Sequence, residues 1–348
     1  MRRARSCSVS NAMLARLLCA LAAAACAPCL SAQAASTEPV LSLSKGSGQA
    51  WPAKPLRLIV PFPAGGGSDI VGRILAQRLA EQLKQQVVVD NRAGAGGSIG
   101  TEAAVKSAPD GYTLLLASTS EIAVNPALYS RLGYDTVRDL APVAMVAATP
   151  IVVVVHPALP VKTVRELVAL ARAKPGEINL ASAGNGTFTH LAGELFRSMM
   201  GITWTHVPYK GAPPALTDLV SGQVQVMFST LPAAMGLITA QRLKPIAVSA
   251  PARVATLPQV PTAKESGAPD YEVEYWYGAF TPAAVPRDIV AQLSNEIAQA
   301  LRSPDVIANL AKQGAAPGTL TQPRFAELVR AEVGKWGKVV ASAGVKID

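Results

Sequence analysis

The stretch LRLIVPFPAGGGSDIVGRILAQRL (residues 56–79) joins an apolar run to a glycine-rich loop and then to an amphipathic pattern. The apolar run has the length of a short buried strand. Beyond the loop, apolar residues recur every three or four positions, which predicts a helix with Ser68 or Asp69 as its N-cap. The stretch therefore predicts one strand–loop–helix unit of an α/β protein.

The same order of elements returns in INLASAGNGTFTHLAGELFRSMM (residues 178–200). Thr187 is the expected N-cap of this second helix, and Gly201 is expected to end it. Further apolar strands are predicted at residues 87–89, 112–117, 203–207 and 224–228. Because strands alternate with helices in both halves, we expect two sheets of parallel strands.

Two apolar stretches, Val143–Val155 and Val273–Phe280, are suited to cross from one domain to the other. Two crossings bring both ends of the chain into the same domain. We therefore expect one lobe from residues 51–148 and 277–348, with a helical tail, and a second lobe from residues 149–276. The chain of 348 residues is long enough for two domains with separate cores.

The first 34 residues have the pattern of a secretory signal peptide. Four arginines and no acidic residue precede or flank the apolar run Leu17–Leu30, which is followed by Ser-Ala-Gln-Ala. We expect cleavage after Ala34 and a flexible leader over residues 35–50. Cleavage would lower the net charge from +9 to +5 and remove all four cysteines, so the mature chain would form no disulfide or thiolate site. Acylation at Cys26 is disfavoured because Ala-Ala-Ala-Cys is a poor lipoprotein signal.

Several common kinds of site are not indicated. The basic residues of the mature chain are scattered singly and its aromatic residues are few, so the concentrated basic face that nucleic acid requires is not expected. The three histidines have neither H-x-x-x-H nor H-E-x-x-H spacing, and no P-loop motif occurs. We expect no metal, no cofactor and no nucleic-acid partner.

One stretch of the sequence matches a motif found in enzymes. Residues 96–100, GGSIG, match the G-x-S-x-G elbow in which Ser98 would be the nucleophile of an α/β-hydrolase. That motif requires the serine directly after a strand, whereas the predicted strand ends nine residues earlier, at Val89. A secreted serine hydrolase using Ser98 is the alternative interpretation of the chain.

The two glycine-rich loops, Ala64–Asp69 and Gly184–Thr187, are candidate anion sites. Unpaired N–H groups and a partial positive charge at the start of a helix suit an anion, and glycine lets the backbone approach it closely. If the two domains face each other, both loops can bind one carboxylate. The hydroxyls of Ser118–Ser120 and Ser229–Thr230 would lie at the same edge, because ligands of α/β sheets bind beyond the carboxyl ends of the strands.

Two residues in these loops allow two interpretations each. Asp69 either caps its helix or contacts an amine of the ligand, and the cap is favoured. His190 is either hydrogen-bonded to its own loop or close to the ligand.

Five longer stretches then suggest a family: WPAKPLRLIVPFPAGGGSD (51–69), VVVDNRAGAGG (87–97), HPALPVKTVREL (156–167), PGEINLASAGNGTFTHL (175–191) and VPYKGAPPALTDL (207–219). In them the chain resembles the periplasmic solute receptors of tripartite tricarboxylate transporters, the Bug-type receptors. The resemblance extends from Trp51 to the C-terminus. It implies a type II periplasmic binding protein: an α/β fold with two lobes, a two-stranded hinge and a ligand cleft between the lobes.

The resemblance also implies a function. We expect a monomeric, non-catalytic receptor in the periplasm that binds a small carboxylate and delivers it to the membrane subunits of a tripartite tricarboxylate-type transporter. Residues 184–191 and the first loop would border the cleft. The candidate ligand-binding residues are Phe62, Gly66, Gly67, Ser68, Asp69, Thr119, Ser120, Thr149, Asn185, Gly186, Thr187, His190 and Thr230.

Overall fold

The computed structural model describes residues 51–343. The predicted signal peptide (1–34) and leader (35–50) lie outside the described residues. No helix within the described part of the chain is long and apolar enough to cross a membrane.

The described residues alternate between strands and helices along most of their length. The strands are β1 (Leu56–Val60), β2 (Val87–Asn91), β3 (Thr113–Ser118), β4 (Leu140–Val155), β5 (Asn179–Ser182), β6 (Thr205–Pro208), β7 (Val226–Thr230), β8 (Lys244–Val248), β9 (Glu274–Pro282) and β10 (Ala316–Pro317). The helices are α1 (Gly67–Leu83), α2 (Ser98–Val105), α3 (Asn125–Leu128), α4 (Thr136–Asp139), α5 (Val164–Ala173), α6 (Phe188–Met200), α7 (Ala212–Val220), α8 (Leu231–Thr239), α9 (Ala263–Ser266), α10 (Arg287–Arg302), α11 (Pro304–Lys312) and α12 (Gln322–Ala343).

Both predicted units form parallel sheets. In the first, β1 pairs in parallel with β2 and β3, and Leu58 lies opposite Leu114. In the second, β5 pairs in parallel with β6 and β7, and Leu180 lies opposite both His206 and Val226. Leu58, Leu114, Leu180 and Val226 are inaccessible to solvent, as expected for parallel strands covered by helices on both faces.

The two stretches predicted to cross between domains form the strands β4 and β9; β4 pairs with strands of both sheets, whereas β9 pairs only within the first. The first half of β4 pairs antiparallel with β9, which also pairs antiparallel with β3. The second half of β4, from Ile151 to Val155, pairs antiparallel with β7 and with β8 of the second sheet. The protein therefore has two α/β lobes, and the long strand β4 runs from the sheet of the first into the sheet of the second.

The start of α1 corrects one prediction. Its N-cap is Gly66, in an extended conformation, and both Ser68 and Asp69 lie inside the first turn. The expectation that either residue caps the helix is therefore wrong. Thr187 is the N-cap of α6 as predicted, and Gly201 ends that helix in the left-handed conformation that glycine favours.

Candidate functional site

A narrow cavity of about 40 Å³ lies where the two lobes meet. Its walls come from the loop before α1, the end of β3, the loop before α6, the start of α7, the end of β7, and β9. The lining residues are Phe62, Pro63, Gly66, Gly67, Ser68, Ser120, Ala183, Thr187, Thr189, Ala212, Thr230, Tyr275 and Tyr277. None of these residues carries a charged side chain.

Four helices begin at this cavity: α1, α6, α7 and α8. Their N-cap residues are Gly66, Thr187, Gly211 and Thr230, and no side chain of these residues accepts a hydrogen bond from the first turn. Elsewhere in the described chain, the N-cap side chains of α4, α5 and α9 accept hydrogen bonds from the first turns of their helices, whereas α2, α3, α10 and α11 also lack such a bond. At the cavity, α1 and α6 present first-turn N–H groups and the positive end of a helix dipole, whereas the prolines in the first turns of α7 and α8 carry no N–H.

The first loop is held by Asp69. Its Oδ2 accepts hydrogen bonds from the N–H of Gly65 (2.9 Å) and from Nε of Arg73 (2.9 Å). Burial alone would raise the pKa of Asp69, but the bonds from Arg73, Gly65 and Asn91 outweigh it and lower the pKa below its usual value. Asp69 is therefore ionised and points into its own loop, and it does not line the cavity.

The second loop is held by His190. Its Nδ1 accepts a hydrogen bond from the N–H of Gly186 at 3.1 Å. The His190 ring stacks on that of His206, with centroids 3.9 Å apart and planes 10° from parallel. His206 Nε2 lies 2.7 Å from Ser182 Oγ, so the stacked pair is anchored to the strand that precedes the loop.

A hydrogen bond crosses directly from one lobe to the other. The N–H of Phe188, the first residue of α6, donates to Ser120 Oγ at 3.0 Å. Behind it, the Tyr275 hydroxyl donates to Ser118 Oγ at 2.6 Å, and Ser118 donates to the carboxyl of Glu121. Glu121 is inaccessible to solvent, and burial raises its pKa to about 8.

The backbone of Gly67 lies close against Thr230 and Tyr277. A Cβ at this position would lie 2.5 Å from both Thr230 Oγ1 and the Tyr277 hydroxyl, so only glycine fits. The Tyr277 hydroxyl is buried, and burial raises its pKa. Thr230 is near enough to lower that pKa in part, but Tyr277 makes no hydrogen bond of ordinary geometry with any described residue. It is thus a polar group in the cleft with capacity to bind.

Seven of the thirteen predicted residues line the cavity: Phe62, Gly66, Gly67, Ser68, Ser120, Thr187 and Thr230. The other six lie behind it or elsewhere: Asp69, Thr119, Thr149, Asn185, Gly186 and His190. Thr119 Oγ1 accepts the N–H of Trp276 at 3.1 Å and so supports β9. Thr149 Oγ1 donates to the carbonyl of Gly314 at 3.1 Å and borders a different cavity.

The sequence reasoning missed six lining residues: Pro63, Ala183, Thr189, Ala212, Tyr275 and Tyr277. The two tyrosines are the most informative, because strand periodicity places residues 275 and 277 on the same face of β9. Two aromatic hydroxyls on one face of a predicted crossing strand were therefore a usable signal.

Ser98 lacks the surroundings of a catalytic nucleophile. It follows a helical turn (Ala95–Gly97) and is the first residue of α2, seven positions after β2 ends at Asn91. Its hydroxyl donates to the carbonyl of Ala95 at 2.7 Å, so its proton is directed at the backbone and not at a base. No cluster of potential metal ligands occurs among the residues that the structure describes.

Comparison with known proteins agrees with this architecture. Residues 71–345 match the model of the tripartite tricarboxylate transporter family receptor. The chain is 39% identical over 302 residues to protein BugT of Bordetella pertussis, which covers 86% of this chain and 93% of BugT.

Two solved structures are also similar. Rpa4515 of R. palustris, solved with adipate, is 36% identical with a TM-score of 0.83, covering 85% of this chain and all of that one. MatC from Rhodopseudomonas palustris, solved with bound malate, is 31% identical with a TM-score of 0.79, covering 83% and 100%. The two-lobed α/β architecture is thus that of a type II periplasmic binding protein, and the chain belongs to the family of tripartite tricarboxylate transporter receptors.

Proposed function

We propose that this protein binds a small carboxylate-containing metabolite between its two lobes and presents it to the membrane subunits of a tripartite tricarboxylate-type transporter. The observation that carries the proposal is that α1 and α6 both begin, without a side-chain cap, at a cavity lined by no charged side chain. Such a site neutralises an anion with backbone N–H groups and hydroxyls.

The ligands of related structures support this chemistry. Rpa4515 was solved with adipate and MatC with malate, both small dicarboxylates. The proposed contacts are the first-turn N–H groups of α1 and α6 and the hydroxyls of Ser68, Thr187 and Thr230. The cavity volume of about 40 Å³ corresponds to closely approached lobes, so entry of a ligand requires them to separate.

The remaining parts of the proposal concern the whole chain. The family is one of solute receptors, and we infer that this member catalyses no reaction and acts as a monomer. We further infer periplasmic location after cleavage behind Ala34, and lobes formed by residues 51–148 plus 277–348 and by residues 149–276. Mass spectrometry of the exported protein tests the cleavage site, because the mature chain should begin at Ala35.

The direct test is a thermal-shift screen of the mature protein with di- and tricarboxylates, monocarboxylates, amino acids and nicotinate. A ligand at a hundred times its Kd stabilises the folded state by about 2.7 kcal/mol, which in a chain of this size raises Tm by about 4 °C. The dimethyl ester of each active dicarboxylate is the matched control, because it keeps the carbon chain and loses the charge. Absence of any shift across the carboxylates would refute the proposal.

A further inference from the structure

The two loops of the cleft are built in the same way from different residues. Asp69 is the third residue of α1 and accepts the N–H of Gly65, four positions earlier. His190 is the third residue of α6 and accepts the N–H of Gly186, also four positions earlier. In both loops, an acceptor inside the first turn therefore fixes the glycine just ahead of the N-cap.

The acceptor of the second loop works in one protonation state only. Nδ1 of a histidine can accept a hydrogen bond only when it carries no proton, so His190 must be neutral with its proton on Nε2. When His190 gains a second proton, Nδ1 becomes a donor and faces the N–H of Gly186. The hydrogen bond is then replaced by a repulsive contact.

Several groups act on the charge of His190. Burial is the largest influence and lowers its pKa. On the same helix, Glu194 raises the pKa and Arg197 lowers it, and these two form an ion pair at 2.8 Å. From β6 the stacked His206 opposes a second positive charge, while its own pKa is lowered to about 4, first by burial and then by His190.

The protonation of His190 can affect the cavity through Gly186 and Thr187. Gly186 has a left-handed backbone with φ of 70°, and it directly precedes Thr187, which lines the cavity. Thr187 is tied back to the carbonyl of Gly184 by its N–H (3.2 Å) and its hydroxyl (2.8 Å). Release of the Gly186 N–H therefore loosens the turn that aims the start of α6 at the ligand.

We propose that neutral His190 is a positioning residue that holds the second loop in its binding conformation, and that protonation of His190 in acid releases the ligand. This inference rests on the proposed carboxylate-binding function. It gives the receptor one loop whose internal acceptor is acid-sensitive and one whose acceptor is not. If the charge of His190 acted directly on the ligand, a protonated histidine would attract the carboxylate and affinity would rise in acid. The positioning role predicts the opposite, that affinity falls in acid.

The test compares adipate affinity by isothermal titration calorimetry between pH 4 and 8 for the wild type and His190→Asn. The asparagine amide oxygen can accept the Gly186 N–H but does not titrate. Each pH unit below the pKa of His190 leaves about a tenth of the wild-type protein competent, so its affinity should fall about tenfold per unit relative to His190→Asn. Protonation of adipate itself is common to both proteins and cancels in the ratio.

His156→Asn is the matched control. His156 directly follows the last residue of β4. Its Nδ1 accepts the N–H of Ala158 at 3.2 Å, and His156 does not line the cavity. This variant should keep the wild-type pH profile. A constant wild-type to His190→Asn ratio from pH 8 to 4, or one that favours the wild type in acid, would overturn the proposal.

A second readout needs no ligand. In the uniformly ¹⁵N-labelled protein, whose chain has three histidines, long-range NMR spectra report the tautomer and the titration of each ring, and amide spectra report Gly186. We expect unprotonated Nδ1 in His190 at pH 7 and a Gly186 amide signal that shifts with its titration. If adipate fails to bind any variant at pH 7, the proposed function is at fault for that ligand class. The Gly186 signal still decides the positioning role, which a protonated Nδ1 at pH 7 would refute.

Discussion

Both loops of the cleft hold the N–H of a glycine just before the N-cap, but the acceptor is charged in the first loop and neutral in the second. In the first, a carboxylate with a lowered pKa is paired with Arg73 and holds Gly65. In the second, a neutral imidazole, stacked on another imidazole, holds Gly186. The comparison shows that equal backbone geometry does not imply equal response to solution conditions, since one acceptor keeps its charge across the physiological range and the other must remain uncharged.

The strongest test of the first loop is Gly67→Ala. The added methyl would meet Thr230 Oγ1 and the Tyr277 hydroxyl at 2.5 Å, so the lobes could not close on a ligand. We expect at least a hundredfold loss of adipate affinity by calorimetry, with a much smaller change in Tm. Gly236→Ala in α8 is the control, because its Cβ would meet nothing within 4 Å. Unchanged affinity in Gly67→Ala would show that this loop does not take part in binding.

Acid should destabilise the second loop even without ligand. The pKa of His206 is lowered to about 4 from an ordinary 6.5, so the folded state binds fewer protons than the unfolded state between these values. Its stabilising contribution is complete above pH 6.5 and decreases as the pH falls toward 4. Wild type should therefore lose on the order of 2 kcal/mol more than His206→Asn between pH 7 and 4.5. Chemical denaturation at both pH values measures this, and equal losses would contradict it.

Asp69→Asn examines the carboxylate of the first loop. The amide can still accept the Gly65 N–H but loses its charge-assisted bond to the largely exposed Arg73, so we expect a loss of about 1 kcal/mol at pH 7. Because the pKa of Asp69 is lowered, its contribution is present at neutral pH and is lost only as the pH falls below about 4. The difference from wild type should stay constant from pH 8 to 5. A difference that disappears at pH 5 would remove the contrast between the loops.

Ser98→Ala should have the smallest effect. The Ser98 hydroxyl donates a hydrogen bond to the carbonyl of Ala95, and Ser98 does not line the cavity. Adipate affinity should change by less than a factor of about two, and hydrolysis of nitrophenyl esters should be equally absent in both proteins. Esterase activity that vanishes in the variant would revive the hydrolase interpretation.

The sequence was sufficient for the two loops because each stands where a run of apolar residues changes to helical spacing. It was insufficient for the cap of α1, because the choice between Gly66 and Ser68 depends on Asp69 turning back to Gly65. Helix spacing alone does not report such a contact.

Contacts that depend on the register of distant strands also could not be predicted from the sequence. The stack of His190 on His206 exists because β6 lies beside β5 with His206 opposite Leu180. Thr149 was predicted to bind the ligand, but in β4 its hydroxyl donates to the carbonyl of Gly314. Both outcomes follow from tertiary pairing and not from local pattern.

The position of β9 also has a consequence for the order in which the protein folds. β9 lies between β3 and β4 in the first sheet, although about 150 residues separate it from β3 along the chain. The first sheet can therefore be completed only after most of the polypeptide is available to fold. The strands of the second sheet all lie between residues 140 and 248, so that lobe can assemble earlier and serve as the surface on which the first is finished.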